Sequence, residues 1–314
     1  MSEFHLSNMS DFLGPPLDSL PTLRQLQYLL ALAEHQSFSK AAEFCYVTQS
    51  TLSAGIKELE THLSQQLVNR AGKQMTLTSF GEEVAEQARI ILAHARDISA
   101  RARSLEKPLS GALRLGIIPT IAPYLLPQIL PPLQKKFPDL ELQLTEDQSA
   151  RLVEQLRKGL LDLALFAFPY DMPDMVQTLL FEEPFYIACP EKTWQGKNPA
   201  ILGDLENKEL LLLEEGHCLR DHALAACHFR AKAERRIFNA TSLPTLIQFV
   251  QHGYGMTLLP KMAVEWGIIP KNIEIIPFAL PCPTRKIGLI WRKKHPQEKE
   301  FILFSETLGS LFLK

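Results

Sequence analysis

The spacing of apolar positions along this chain changes repeatedly, and each change marks a different kind of element. From Thr22, the residues Leu23, Leu26, Leu30 and Ala33 recur at helical spacing, and Thr22-Leu23-Arg24-Gln25 has the form of a capping box. Ser37 can cap a short second helix through Phe44. After the turn Cys45-Tyr46-Val47 a third helix opens at Thr48, with Leu52, Ile56, Leu59 and Leu63 on one face. Leu67 to Arg70 and Met75 to Thr78 then read as strands around the basic turn Ala71-Gly72-Lys73-Gln74. Next, Val84, Ala88, Ile91, Ala95, Ile98, Ala102 and Leu105 alternate steps of four and three, which is a coiled-coil seam. One helix cannot bury such a stripe alone, so the pattern predicts a homodimer.

Lys107-Pro108-Leu109-Ser110-Gly111 breaks that helix, and strands then alternate with helices. Leu113 to Ile118, Leu140 to Thr145 and Leu161 to Phe168 are expected strands; Pro123 to Phe137 and Ala150 to Leu160 are expected helices. A second series runs through Phe185 to Cys189, Glu209 to Glu214, a helix from Leu219 to Phe229, Arg236 to Ala240, Leu243 to Gln251 and Met256 to Leu259. Arg285 to Trp291 adds a strand, and Phe301 to Leu313 a closing helix. The alternation predicts an α/β fold.

Composition changes this picture little. The chain has 314 residues, 46% of them hydrophobic, and a formal net charge of −2, so any nucleic-acid surface must be local. Thr22 to Met75 carries five basic residues (Arg24, Lys40, Lys57, Arg70, Lys73) against four acidic ones (Glu34, Glu43, Glu58, Glu60). Charge permits DNA binding there without demanding it. No basic, apolar leader opens the chain and no apolar run is long enough to span a bilayer, which predicts a cytoplasmic protein. Five cysteines are too sparse and too odd in number for a secreted disulfide framework; Cys45, Cys189 and Cys282 are assigned to packing.

Candidate chemistry concentrates in Gly216-His217-Cys218-Leu219-Arg220-Asp221-His222 and on to Cys227-His228. His217, Arg220 and a helix start would all favour negative sulfur at Cys218, the expected reactive thiol. If Leu219 to Phe229 is one helix, the nine-residue step to Cys227 gives roughly 13 Å of rise, whereas a disulfide needs Cα atoms within about 7 Å. Bonding the two would dismantle the helix. Two inert packing thiols are the plain alternative. His217, His222 and His228 with the cysteines could also ligate a metal, but their spacing fits no standard zinc pattern, so neither metal nor cofactor is expected. In Gly116-Ile117-Ile118-Pro119-Thr120 a hydroxyl follows the first strand of the α/β region, where open sheets bind ligands; Thr120 could equally cap the next helix.

Three phrases, Ser-Phe-Ser-Lys-Ala-Ala, Val-Thr-Gln-Ser-Thr-Leu-Ser and Ile-Lys-Glu-Leu-Glu, closely resemble the helix-turn-helix signature of LysR-type transcription regulators. Gly-His-Cys-Leu-Arg-Asp with a cysteine nine residues on resembles the sensor segment of their peroxide-responsive members. The resemblance covers nearly everything from Thr22. It implies an extension (1–21), a winged helix-turn-helix (22–78), a linker and dimerisation helix (79–108) and a two-lobed periplasmic-binding-like α/β effector domain (109–314). Lobe I would hold about 109–183 and 285–314, and lobe II about 184–284.

The resemblance also implies roles. Gln49, Ser50, Thr51, Ser53, Lys57, Arg70 and Lys73 would face operator DNA. Thr120, Ser149, His217, Arg220, Asp221 and Arg285 would support hydrogen peroxide at Cys218. In the related regulators a threonine stands where Ser149 follows Glu146-Asp147-Gln148, so the hydroxyl is kept on a different residue. Cys218 would become a sulfenic acid that Cys227 resolves to a disulfide. Implied partners are double-stranded operator DNA, a second copy of the chain, pairing on to a homotetramer, and RNA polymerase, with no membrane. Alternatives are a LysR-type regulator sensing a small organic ligand in the inter-lobe cleft, a thiol peroxidase, for which no further machinery is evident, and a solute-binding transport protein, which would need an export signal.

Overall fold

The computed structural model describes residues 20–69, 75–206, 208, 210–226 and 240–312. The chain divides into two compact units, one up to Arg96 and one from Asp97.

In the first unit, α1 (Leu23–His35), α2 (Phe38–Phe44) and α3 (Gln49–Leu63) each begin at the cap expected from sequence: Thr22 with a complete capping box, then Ser37 and Thr48. Each hydroxyl accepts a first-turn backbone N–H that the helix itself leaves unbonded. Leu29, Leu32, Ala41, Leu52, Ile56 and Leu59 close the core between them. Glu60 Oε1 accepts the N–H groups of Leu67 and Val68 at 2.9 and 3.2 Å, fixing the entry to an antiparallel hairpin of β1 (Val68–Asn69) and β2 (Thr76–Leu77). Arg70 and Lys73 lie outside the described residues. The long helix α4 (Ser79–Glu106) follows. Ala88 on its stripe is buried, whereas Ile91 and Ile98 are 45% and 74% exposed in the single chain.

The second unit is built on a seven-stranded sheet. Its elements are β3 (Gly111–Ile117), α5 (Ala122–Lys136), β4 (Leu140–Glu146), α6 (Ser149–Arg157), β5 (Leu163–Phe168), β6 (Met175–Pro190), α7 (Cys218–Ala226), α8 (Leu243–Gln251), β7 (Thr257–Pro260), α9 (Lys261–Glu265), β8 (Ile273–Pro277), β9 (Thr284–Arg292) and α10 (Glu298–Phe312). The strand order is β4-β3-β5-β9-β6-β7, with β8 also on β6; β3 runs parallel to β4 and β5, and β9 antiparallel to β5 and β6. β5 is buried at every position, lying between β3 and β9 with α6 packed against it.

β6 carries the division into lobes. Its first part pairs with β9, with a bulge between Leu179 and Phe181, and its last part pairs with β7 and β8. Only its end, Phe185 to Cys189, was expected as strand. The expected strand from Glu209 to Glu214 does not form as a ladder among the described residues: Leu211 bonds to Met256 and Glu214 to Ala240, and these separate partners leave isolated bridges at Leu210 and Leu213. Of the expected strand Arg236 to Ala240 only Ala240 is described, and α9 and β8 were not anticipated.

Candidate functional site

Two surfaces carry the expected chemistry, one in each unit. On α3, Gln49, Ser50, Thr51 and Lys57 are exposed and Ser53 is half-buried. Gln49 Oε1 accepts from Ser39 Oγ at 2.9 Å, tying the start of α3 to α2. The Ser50 and Thr51 hydroxyls lie 2.9 and 2.8 Å from Thr48 Oγ1, so part of the expected DNA-facing set also serves the helix cap. Beside them stands Tyr46, 96% exposed and unremarked in the sequence, where a positive φ of 55° turns the chain between α2 and α3.

The second is a buried cluster at the carboxyl ends of β3, β4 and β5, to which Thr120, Ser149 and the Pro169 carbonyl come from the segments that follow those strands. α7 supplies Cys218 as its first residue and His222 one turn on. Gly216 takes a φ of +96°, a conformation that favours glycine, and lies close against the end of the Gln148 side chain. Thr120, Ser149, Cys218, His217 and His222 are all buried.

Arg285 organises the floor. It is 1% exposed, donates from Nε to Glu183 Oε2 at 2.7 Å, and reaches Thr120 Oγ1 and O at 3.0 and 3.2 Å. Glu183 Oε1 accepts Met262 N–H at 2.7 Å, so both charges are fully engaged. A buried pair of this kind costs about 3–5 kcal/mol to break from one side.

Burial dominates the electrostatics of Cys218 and pushes its thiol above the ordinary range. The Ser149 hydroxyl, the Arg285 guanidinium and the sulfur's own backbone oppose that rise, and Asp221 adds to it. The sequence argument expected Arg220 and His217 to depress the thiol. The charge that does favour thiolate is Arg285, because β9 brings it under the pocket, while Arg220 points toward Glu215 at 4.0 Å. His217 Nε2 lies 3.9 Å from Glu214, and burial holds its pKa below the ordinary imidazole value. Ser149 Oγ is buried beside the Cys218 sulfur, and His222 Nδ1 is buried and without a hydrogen-bond partner among the described residues. Hydrogen-bonding groups around a thiol suit a small ligand that both donates and accepts.

Comparison with known proteins assigns both units. Residues 23–82 match the model of bacterial regulatory helix-turn-helix proteins of the lysR family, and residues 106–312 match the LysR substrate binding domain. The chain belongs to the LysR family. Among LysR relatives it is 41% identical over 291 residues to the HTH-type transcriptional regulator EstR of Acinetobacter baylyi, covering 92% of this chain and 97% of that one. It is 38% identical over 287 residues to the DNA-binding transcriptional dual regulator OxyR of Escherichia coli, covering 91% and 94%. Full-length OxyR of Pseudomonas aeruginosa, as a cysteine-to-aspartate variant, superposes with a TM-score of 0.71 at 34% identity, covering 92% of this chain and 98% of that chain. A cysteine-to-serine mutant of Corynebacterium glutamicum OxyR with hydrogen peroxide bound gives 0.65 at 33% identity, covering 93% of each.

In this LysR chain the structure brings Thr120, Ser149, Cys218 and Arg285 together, with Asp221 exposed at the rim. Cys227 lies outside the described residues. Sequence reasoning missed Glu183, whose register opposite Arg285 only strand pairing reveals. It also passed over His222 except as a metal ligand, although the four-residue step from Cys218 was the signal that both share a helix face.

Proposed function

We propose that this LysR-family chain is a transcription regulator that senses hydrogen peroxide through Cys218 and Cys227. The observation that carries the proposal is the buried Cys218 thiol beside the Ser149 hydroxyl, with Thr120 held by Arg285 alongside. Peroxide, which both donates and accepts, fits that set. Its proximal oxygen bonds to sulfur as the O–O bond breaks, leaving a sulfenic acid at Cys218 and water; attack by the Cys227 thiol then forms the disulfide and releases a second water. Thr120, Ser149 and Arg285 would orient the two oxygens, and Asp221, Arg220 and His217 would shape the rim. Support for peroxide as the signal comes from relatives, among them the hydrogen peroxide-inducible genes activator of Dickeya chrysanthemi, 40% identical over 275 residues.

For the output, Gln49, Ser50, Thr51, Ser53 and Lys57 of α3, with Arg70 and Lys73, would contact operator DNA. Ile91 and Ile98 of α4, exposed in one chain, would be covered by the same helix of a second copy, presenting two heads to a two-fold site. Tetramer formation, contact with RNA polymerase and a cytoplasmic setting belong to the same proposal.

Mass spectrometry of peptides before and after one equivalent of peroxide tests it. A Cys218–Cys227 linked peptide is expected, and Cys227→Ser should stop at sulfenic acid or go on to higher oxides. An unmodified Cys218 would overturn the proposal in favour of a small organic ligand in the cleft, a reading left open by the similarity to EstR.

A further inference from the structure

A buried thiol poses a proton problem. Desolvation keeps the proton on Cys218 sulfur, yet the nucleophile toward peroxide is the thiolate. Some group must therefore take that proton inside the pocket and deliver it to the leaving oxygen. Asp221 is exposed at the rim, and His217, which precedes α7, turns its Nε2 to Glu214 at 3.9 Å. Tyr124 on α5, which also feels Arg285, has its hydroxyl pushed up to about 12 by burial, so it holds its own proton.

His222 differs from all of these. It is 7% exposed and stands four residues after Cys218 on α7, a step that puts two side chains on one face with Cβ atoms about 5–6 Å apart. Its Nε2 lies 3.2 Å from the Pro169 carbonyl. A carbonyl oxygen can only accept, so Nε2 carries the hydrogen, and Nδ1 of the neutral ring holds a lone pair. That Nδ1 is buried and has no partner among the described residues. A buried base aligned by a carbonyl, with its acceptor atom vacant, stands on the helix face of a thiol that must lose a proton.

We propose that His222 is the proton shuttle for Cys218 oxidation, a role that rests on the peroxide reading above. Nδ1 accepts the thiol proton as sulfur attacks the proximal peroxide oxygen, and returns it to the distal oxygen as the O–O bond breaks. Thiol and peroxide become sulfenic acid and water, with the imidazole regenerated. Around the ring stand Arg285 from β9 and Asp221 on its own helix, with Cys218 one turn before it on the same face; Glu183 is engaged by Arg285, and the Pro169 side contributes a carbonyl. Burial first, and Arg285 after it, hold the imidazole below its ordinary value, so the resting pair stays neutral and the transfer is coupled to O–O cleavage.

Rapid-quench alkylation of full-length protein after mixing with peroxide, repeated across pH, is the test. The wild-type rate should rise through an acid-side inflection below the ordinary imidazole value of 6.5 and then level off. His222→Gln should lose that inflection and oxidise at least about tenfold more slowly on the plateau, converging with wild type only as the thiol ionises by itself at alkaline pH. His222→Ala should respond in the same way and recover rate when free imidazole is added. Uniform slowing of both variants at every pH, or an inflection that survives in them, would overturn the shuttle while leaving the peroxide reading intact. A wild-type Cys218 that peroxide leaves unmodified would overturn both.

Discussion

Two buried polar clusters sit in the same effector unit and are built on opposite principles. Where Asp97, Arg114, Asp162 and Arg292 meet, the carboxylates and guanidiniums are saturated: Arg114 bonds to Asp162 and, at 3.1 Å, to Asp97; Arg292 reaches the other Asp97 oxygen at 3.1 Å; and His295 stands 3.6 Å from Asp97 at the edge of the cluster. Both guanidiniums also donate to backbone carbonyls, Arg114 to Gly159 and Arg292 to Leu156 and Leu161. The ligand-type atoms of Asp97, Asp162 and His295 are close enough together to suggest a metal, but two cations already occupy the carboxylates. The Cys218 site keeps its charged pair just as fully engaged yet leaves His222 Nδ1 unmatched among the described residues. A saturated cluster holds a shape. An unsaturated one holds hydrogen-bonding capacity for a reactant.

That contrast can be broken most forcefully at Arg114. Arg114→Met strands Asp162 in the interior and leaves Asp97 with Arg292 as its guanidinium partner, and should lower unfolding free energy by about 3–5 kcal/mol in urea titration, while the oxidation rate of the folded fraction stays unchanged. A large rate loss in that variant would show that the clusters do not divide their labour in this way.

An intermediate effect is expected from acid. His217 and His222 both have folded-state pKa values held below the ordinary 6.5. As pH falls through 6.5 the unfolded chain takes up these protons first, so stability declines from there down to the folded values, by up to about 1.4 kcal/mol per pH unit for each histidine. Melting temperature followed downward from neutral pH should show the decline, and His222→Gln should reduce its slope. An equal slope in that variant would mean that other groups set the acid limit.

Ser149→Ala should give the smallest stability change, within about 1 kcal/mol and of either sign, because the hydroxyl it removes faces only the weakly bonding Cys218 sulfur among the described residues. Peroxide oxidation of Cys218 should nonetheless slow. If the stability falls substantially and the rate holds, Ser149 belongs with the saturated cluster instead.

Sequence patterning reached the first unit more completely than the second, for a physical reason. Thr22, Ser37 and Thr48 act through local hydrogen bonds within three residues, so their effect can be read from adjacent positions. The parallel strands and their helices were also legible, since β5 is a continuous apolar run. What escaped depends on distant partners. Leu210 to Leu213 looks like a strand but finds only isolated bridges, and β8 forms because β6 is long enough to pair with it. Within the pocket, Cys218 was legible as the candidate thiol from its immediate neighbours. The direction of its pKa was not, because burial and the arrival of Arg285 are consequences of the fold.

Arg285 has a further consequence for anyone wishing to move this pocket into another protein. The segment from Gly216 to Ala226 looks portable, a short loop and one helix. Yet the guanidinium beneath it belongs to a strand paired in register with Glu183, at the point where β6 turns from one set of strand partners to another. A transplanted loop would arrive without its cation. A recipient chain would have to accept the paired strands as well, so the smallest transferable unit is the sheet crossover rather than the motif.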